Sequence, residues 1–393
     1  MIADRLRGVA SSPTLALAAS ARALVKEGKP VLDFTAGEPD FPTPDHIQRA
    51  AVDAIEHNRT KYTPAAGILE LRQAIANDLH RRLGDPVKYA PPEVMVCVGA
   101  KHALYNALQV LCDPGDEVLV FSPYWVSYLP LVSLAGAKPV LITTREEEHF
   151  QPDPSAVSSA ITPNTKALIL NSPSNPTGAV IEPQRLRALS ELALARRVFV
   201  ISDEIYDQLV FPPASVRSIV QENPKAIEWT ILVNGVSKTY AMTGWRIGYA
   251  AGPKNVIDAM TALQSHSTSN PTSISQYAAL AALTGDQADV RRMVTEFQRR
   301  RDHLVNGLNA LPGLSCTMPD GAFYAWCNVS RLSAPADAVA RRWLEEALIA
   351  VVPGEGFGSA SHVRFSFAAS LETIDQALKR LKQWLQKPVS RIS

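Results

Sequence analysis

Thr230-Ile231-Leu232-Val233-Asn234-Gly235 runs directly into Val236-Ser237-Lys238-Thr239-Tyr240-Ala241-Met242-Thr243-Gly244-Trp245-Arg246-Ile247-Gly248. The first six residues are short, β-rich and unalternating, the pattern of a strand buried on both faces. Lys238 therefore follows a strand end, where open α/β sheets place their chemistry. Its neighbours are small, which leaves room for a lysine amine that must condense with an aldehyde. Arg246, eight residues further on, has the fork geometry to clamp the phosphate of the same group. The pair reads as a cofactor anchor rather than as two solvated surface cations.

Comparable apolar runs precede it: Val94–Val98, Glu117–Phe121, Lys166–Asn171 and Val198–Ser202. Helical patterns lie between them, including 102–111 and 183–197, the latter opening on Pro183. This alternation predicts an α/β fold whose sheet is mainly parallel and sandwiched by helices. After Gly285 a long amphipathic helix, 286–311, leads into shorter strand-like pieces, Ala322–Trp326 and His362–Phe367. We expect three parts: an N-terminal segment 1–44 packing on the small domain, a large domain 45–285, and a smaller α/β C-terminal domain 286–393.

The 393 residues carry a formal net charge of +1, which gives no reason to expect nucleic acid. Arg299-Arg300-Arg301 reads as the exposed face of the long helix, and Glu146-Glu147-Glu148 as a solvated turn. Cys97, Cys112, Cys316 and Cys327 form no CxxC pair, so a reducing cytoplasm fits best. The apolar run Leu15–Ala19 is too short for a signal peptide, and no window approaches the roughly 18 apolar residues of a membrane span. The histidines form no HExxH or Cys-His cluster, leaving a metal site unsupported, and Gly354-Glu355-Gly356-Phe357-Gly358 fails the GxGxxG pattern.

Two further motifs have a physical reading of their own. Gly99-Ala100-Lys101 joins a strand to a helix start, where free backbone N–H groups bind anions. Asp203, in Ser202-Asp203-Glu204-Ile205-Tyr206, follows a strand, where a carboxylate either caps the next helix or faces the crevice at the sheet's carboxyl edge.

Together with Asn171-Ser172-Pro173-Ser174-Asn175-Pro176-Thr177-Gly178, Ser122-Pro123-Tyr124-Trp125-Val126-Ser127-Tyr128, Lys61-Tyr62-Thr63-Pro64-Ala65-Ala66-Gly67 and His362-Val363-Arg364, these motifs resemble class I pyridoxal-phosphate aminotransferases of fold type I. The resemblance runs from about Thr14 to Arg364. It implies that Lys238 bears pyridoxal 5'-phosphate and later serves as the base at the substrate's α-carbon. It places Ala100, Lys101, Ser237 and Arg246 around the phosphate, with Tyr62 supplied by the partner of a homodimer. It assigns Trp125 to stack on the ring, Asn175 and Tyr206 to the ring oxygen, and Asp203 to the ring nitrogen. For the substrate it assigns Arg364 to the α-carboxylate, with Gly37, Trp125 and Asn175 beside it.

Within the family the motifs most resemble the bacterial aspartate aminotransferases, which implies L-aspartate as donor and 2-oxoglutarate as acceptor in ping-pong order. Lys101 and Thr14 match the positions that receive the distal carboxylate. Members that also accept prephenate carry a basic residue shortly before the threonine, where this chain has Val9-Ala10-Ser11-Ser12-Pro13. An aminotransferase for aromatic or neutral amino acids remains open, as do a lyase using the same anchor and a non-catalytic pyridoxal-phosphate-binding regulator.

Overall fold

The computed structural model describes residues 13–386, together with Leu6. In chain order the strands are β1 (Leu32–Asp33), β2 (Val94–Cys97), β3 (Glu117–Ser122), β4 (Lys138–Thr143), β5 (Thr165–Asn171), β6 (Phe199–Asp203), β7 (Thr230–Gly235), β8 (Gly248–Ala251), β9 (Ser315–Cys316), β10 (Tyr324–Asn328), β11 (Ile349–Ala350), β12 (Val352–Pro353) and β13 (His362–Ser366). Seven of them form one sheet in the order β2-β8-β7-β6-β5-β3-β4. The pairs from β7 through β6, β5 and β3 to β4 are parallel, and β8 alone runs against its neighbours β7 and β2. The expected sheet is therefore mixed but mostly parallel.

Alternate residues of the central strands serve two apolar layers. Leu119, Leu168, Leu170, Val200 and Leu232 pack on one face, and Val118, Val120, Ile169, Ile201 and Val233 on the other. Both faces are thus covered by helices, which explains why these runs show no polar alternation. A third core gathers Phe34, Phe297, Trp343, Val363 and Phe365 around the four-stranded sheet β12-β13-β10-β9 of the smaller C-terminal domain. The N-terminal strand β1 pairs with β11, so this early segment leans on late sequence.

Three expectations need correction. The strand before Asp203 begins one residue later than read, at Phe199, and Asp203 is its last residue. The long helix spans Ala288–Asn309, and its arginines are not all solvated: Arg300 and Arg301 are buried. Arg300 reaches both carboxylate oxygens of Asp40 at 2.8 and 2.9 Å, and Arg301 donates to Pro319 O at 3.0 Å. A buried guanidinium is tolerated because its donors are satisfied, which composition along one helix does not reveal. Glu146, read as part of a solvated turn, accepts from Asn328 Nδ2 at 2.7 Å and lies 3.2 Å from His362 Nε2.

Candidate active site

The carboxyl ends of β3, β5, β6 and β7 open on a cavity of about 530 Å³, closed on the other side by residues 33–38 and by Tyr324 and Arg364 of the C-terminal domain. This is the crevice position expected for an open α/β sheet. The loop bearing Lys238 and Arg246 leaves β7 at Gly235 and re-enters the sheet at Gly248, and these two glycines are cross-strand partners. The loop is therefore closed at its base, and both cations project from it into the cavity wall. Arg246 has φ 55°, a left-handed conformation that costs a non-glycine residue about 1 kcal/mol and marks a functional constraint.

Opposite that loop, the helix Ala100–Leu111 begins at Gly99, whose φ of 83° suits only glycine and whose side-chain cap is missing. A Cβ on Gly99 would run into the Arg246 guanidinium. The helix's first N–H groups and Arg246 thus converge, and Ser237 lines the same cavity. The arrangement is an anion cradle.

Lys238 is partly buried, and its Nζ donates to Gly37 O at 2.6 Å. Burial lowers its ammonium to about 8, helped by Arg246 and Arg364 and opposed by Glu38 and Asp203. An amine in that range is available as a nucleophile and base near neutral pH. Asp203 is buried at the end of β6, and Tyr128 Oη donates to its Oδ2 at 2.7 Å. Burial raises this carboxyl to about 6, against the Tyr128 hydrogen bond. Trp125 lines the cavity and meets the Tyr128 ring edge-on at 5.4 Å.

Arg364 is 3% exposed, yet no carboxylate pairs with it among the described residues. Its Nη1 donates to Asn175 Oδ1 at 3.0 Å and its Nη2 to Thr35 O at 3.1 Å, while Nε has no partner. Its guanidinium lies over the Tyr324 ring at 4.3 Å and the Phe357 ring at 5.1 Å. A buried guanidinium without a protein anion calls for one from outside. Lys101 adds a further cation, its Nζ 4.8 Å over the Trp125 ring. Among the cavity's carboxylates, Asp33 is turned to its own Thr35, leaving Glu38 and Asp203 to face four cations.

Gly37, Ala100, Lys101, Trp125, Asn175, Asp203, Tyr206, Ser237, Lys238, Arg246 and Arg364 therefore surround one cavity. Tyr62 stands apart, 90% exposed. Thr14 lies in the N-terminal helix Pro13–Lys26, and its side chain is outside the described residues. Several cavity residues were given no role in the sequence reading, among them Tyr128, Asn171 and Tyr324. Asn171 bridges the site, accepting from Asn175 N at 2.8 Å and donating to Asp203 O at 3.0 Å. Its place at a strand end was a usable signal. Tyr324 sits within an apolar run and resembled ordinary core.

The model of the family described as aminotransferase class I and II matches residues 29–381. The chain belongs to this family. It is 47% identical to an aspartate aminotransferase of Geobacillus stearothermophilus over 390 residues, 98% of this chain and 99% of that one. It is 46% identical to the aspartate/prephenate aminotransferase of Thermus thermophilus, covering 98% of each chain. The solved structure of the Thermus thermophilus aspartate aminotransferase with maleate superposes with a TM-score of 0.94, at 46% identity, over 98% of this chain and 99% of that one. The protein is thus an aminotransferase of fold type I, and its cofactor is pyridoxal phosphate. The site fits that group on its own evidence, offering a reactive amine, an uncapped helix start beside Arg246, and a buried carboxyl at Asp203. Among the described residues no cluster suits a metal ion, and no helix is long and apolar enough to cross a membrane.

Proposed function

We propose that this aminotransferase moves the amino group of L-aspartate to 2-oxoglutarate. The observation that carries the substrate reading is the pairing, in one cavity, of the anion-free Arg364 with a second cation at Lys101, which suits a dicarboxylate. The names of the relatives point the same way.

Pyridoxal phosphate, when bound, supplies an aldehyde for amines and a ring that takes up the electron pair released at the substrate's α-carbon. Arg246, Ser237 and the N–H groups of Ala100 and Lys101 would hold its phosphate. Asp203 keeps a proton on the ring nitrogen, and Tyr128 keeps Asp203 in place. Asn175 and Tyr206 would serve the ring oxygen, and Trp125 would stack on the ring. Arg364 grips the α-carboxylate beside Asn175 and Gly37, which orients the α-hydrogen toward Lys238. The Lys238 amine would then take that proton from the α-carbon and return it at the cofactor's exocyclic carbon, two bonds away across the nitrogen, so that hydrolysis leaves a keto acid and the aminated cofactor. A second keto acid reverses the sequence, which gives ping-pong kinetics.

The functional unit in this reading is a homodimer. Tyr62 is exposed on its own subunit, and Val52, Ile55 and Leu69 are exposed in the same stretch of chain. That apolar stretch suits a partner surface, from which Tyr62 reaches the partner's phosphate site. Four free, buried cysteines fit a cytoplasmic enzyme. The three-part division at residues 45 and 286 belongs to the same proposal. Thr14 joins Lys101 at the distal carboxylate.

The test is a half-reaction. Loaded enzyme mixed with one amino acid and no keto acid should convert its cofactor to the amino form rapidly with aspartate. Conversion by phenylalanine or alanine but not aspartate would replace the proposed substrate. Release of ammonia and keto acid with the cofactor band unchanged would indicate a lyase. A Lys238→Ala variant should bind the cofactor without the lysine-linked absorbance and lose turnover.

A further inference from the structure

Tyr324 joins two parts of the site that the sequence keeps apart. Its Oη lies 3.0 Å from the Oη of Tyr206, and its ring carries the Arg364 guanidinium at 4.3 Å. The residue is 1% exposed, and β13 lies beside it, pairing Trp326 with Arg364 and Tyr324 with Ser366. Tyr206 belongs to the large domain and Tyr324 to the C-terminal one, and Tyr206 packs edge-on against both Phe323 and Tyr324.

Each phenol has one proton, and burial holds both phenols neutral at ordinary pH. If Tyr206 gives its proton to the ring oxygen of the cofactor, it can only accept from Tyr324. We propose that Tyr324 is a positioning residue of the transamination site, its hydroxyl donating to Tyr206 and its ring seating Arg364. The proposal rests on the reading that Tyr206 faces the cofactor's ring oxygen. One side chain then sets both the donor strength of the phenol on the cofactor side and the direction of the guanidinium on the substrate side.

The two functions separate by substitution. Tyr324→Phe removes only the hydroxyl and leaves the ring under Arg364. In loaded enzyme, the pH at which the lysine-linked cofactor band changes should rise by about half a unit, because Tyr206 becomes a weaker donor to the anionic ring oxygen. Maleate affinity should change less than about twofold in the same variant. Tyr324→Leu removes the ring as well and should weaken maleate binding roughly tenfold. Tyr206→Phe is the reference. If it leaves the spectral midpoint unmoved, the reading of Tyr206 falls and the proposal with it. If it moves the midpoint while Tyr324→Phe does not, the proposal alone is overturned. Equal loss of maleate affinity in the Phe and Leu variants would also overturn it.

Discussion

Gly235, the last residue of β7, lies directly across from Gly248, the first residue of β8, and a Cβ on Gly235 would stand 2.8 Å from the Gly248 Cα. On its other side Gly248 abuts the start of the Ala100–Leu111 helix, where a Cβ would overlap Ala100 N. These glycines let the Lys238 loop, the sheet and the helix N-terminus meet at one point. Neither side chain takes part in chemistry, yet both govern how near Arg246 comes to the anion cradle.

Gly248→Ala should therefore act on cofactor retention first. Overpacking against backbone costs about 1–3 kcal/mol, so the variant should unfold several degrees earlier and bind pyridoxal phosphate at least tenfold more weakly. Titration of cofactor-free protein followed by absorbance measures the second effect. Unchanged affinity would mean that the close approach is not needed.

Asp203 weighs against the cofactor-free fold above acid pH. Burial raises its carboxyl from 3.8 to about 6, so the penalty on the cofactor-free fold grows as pH climbs through that interval and stays constant above it. Asp203→Asn should stabilise cofactor-free protein by roughly 2 kcal/mol at pH 8, with the gain shrinking as pH falls toward 4. Turnover should drop at least about a hundredfold. Thermal melts across pH, with and without cofactor, check the sign.

Lys101→Ala should discriminate between substrates. If this cavity cation receives the distal carboxylate as proposed, its loss should raise KM for aspartate at least about tenfold while leaving neutral amino acids nearly unaffected. Partial burial and Arg246 lower the Lys101 ammonium, so the aspartate preference should also decline as pH becomes alkaline. Equal losses for both substrate types would reduce Lys101 to a helix-start residue.

Glu146 ties the segment after β4 to β10 and β13 through Asn328 and His362. The His362 hydrogen bond, with help from Asn328, holds this carboxyl below its ordinary value of 4.5. Its stabilising effect is therefore present above that value and is lost as pH falls through the depressed one. Glu146→Gln should cost about 0.5–1 kcal/mol at pH 7, discounted for its partial exposure, and the difference from wild type should close in acid. A pH series of melting temperatures tests this.

Much of the site was legible because its parts are local. Strand runs such as Leu168–Leu170 and Ile231–Val233 announce themselves by apolar residues on both faces. Lys238, Asp203, Trp125 and Asn175 each sit at or just beyond a strand end, and a short stretch of sequence suffices to show that. Arg300, Glu146 and Tyr324 were misread or passed over because partners that matter to them are remote. Asp40 lies 260 residues from Arg300, and Tyr206 lies 118 from Tyr324.

By itself, then, the sequence determined the layered α/β fold and set Lys238, Asp203, Trp125 and Asn175 at or just beyond strand ends, since hydrophobic period and turn chemistry act over a few residues. Tertiary structure decided that Arg364 would stand without a protein anion, that Lys238 would lose part of its basicity, and that Tyr324 would touch both Tyr206 and Arg364. These properties depend on desolvation and on pairwise distance. Both arise only when segments as far apart as Gly37 and Lys238, separated by 201 positions, enclose one cavity.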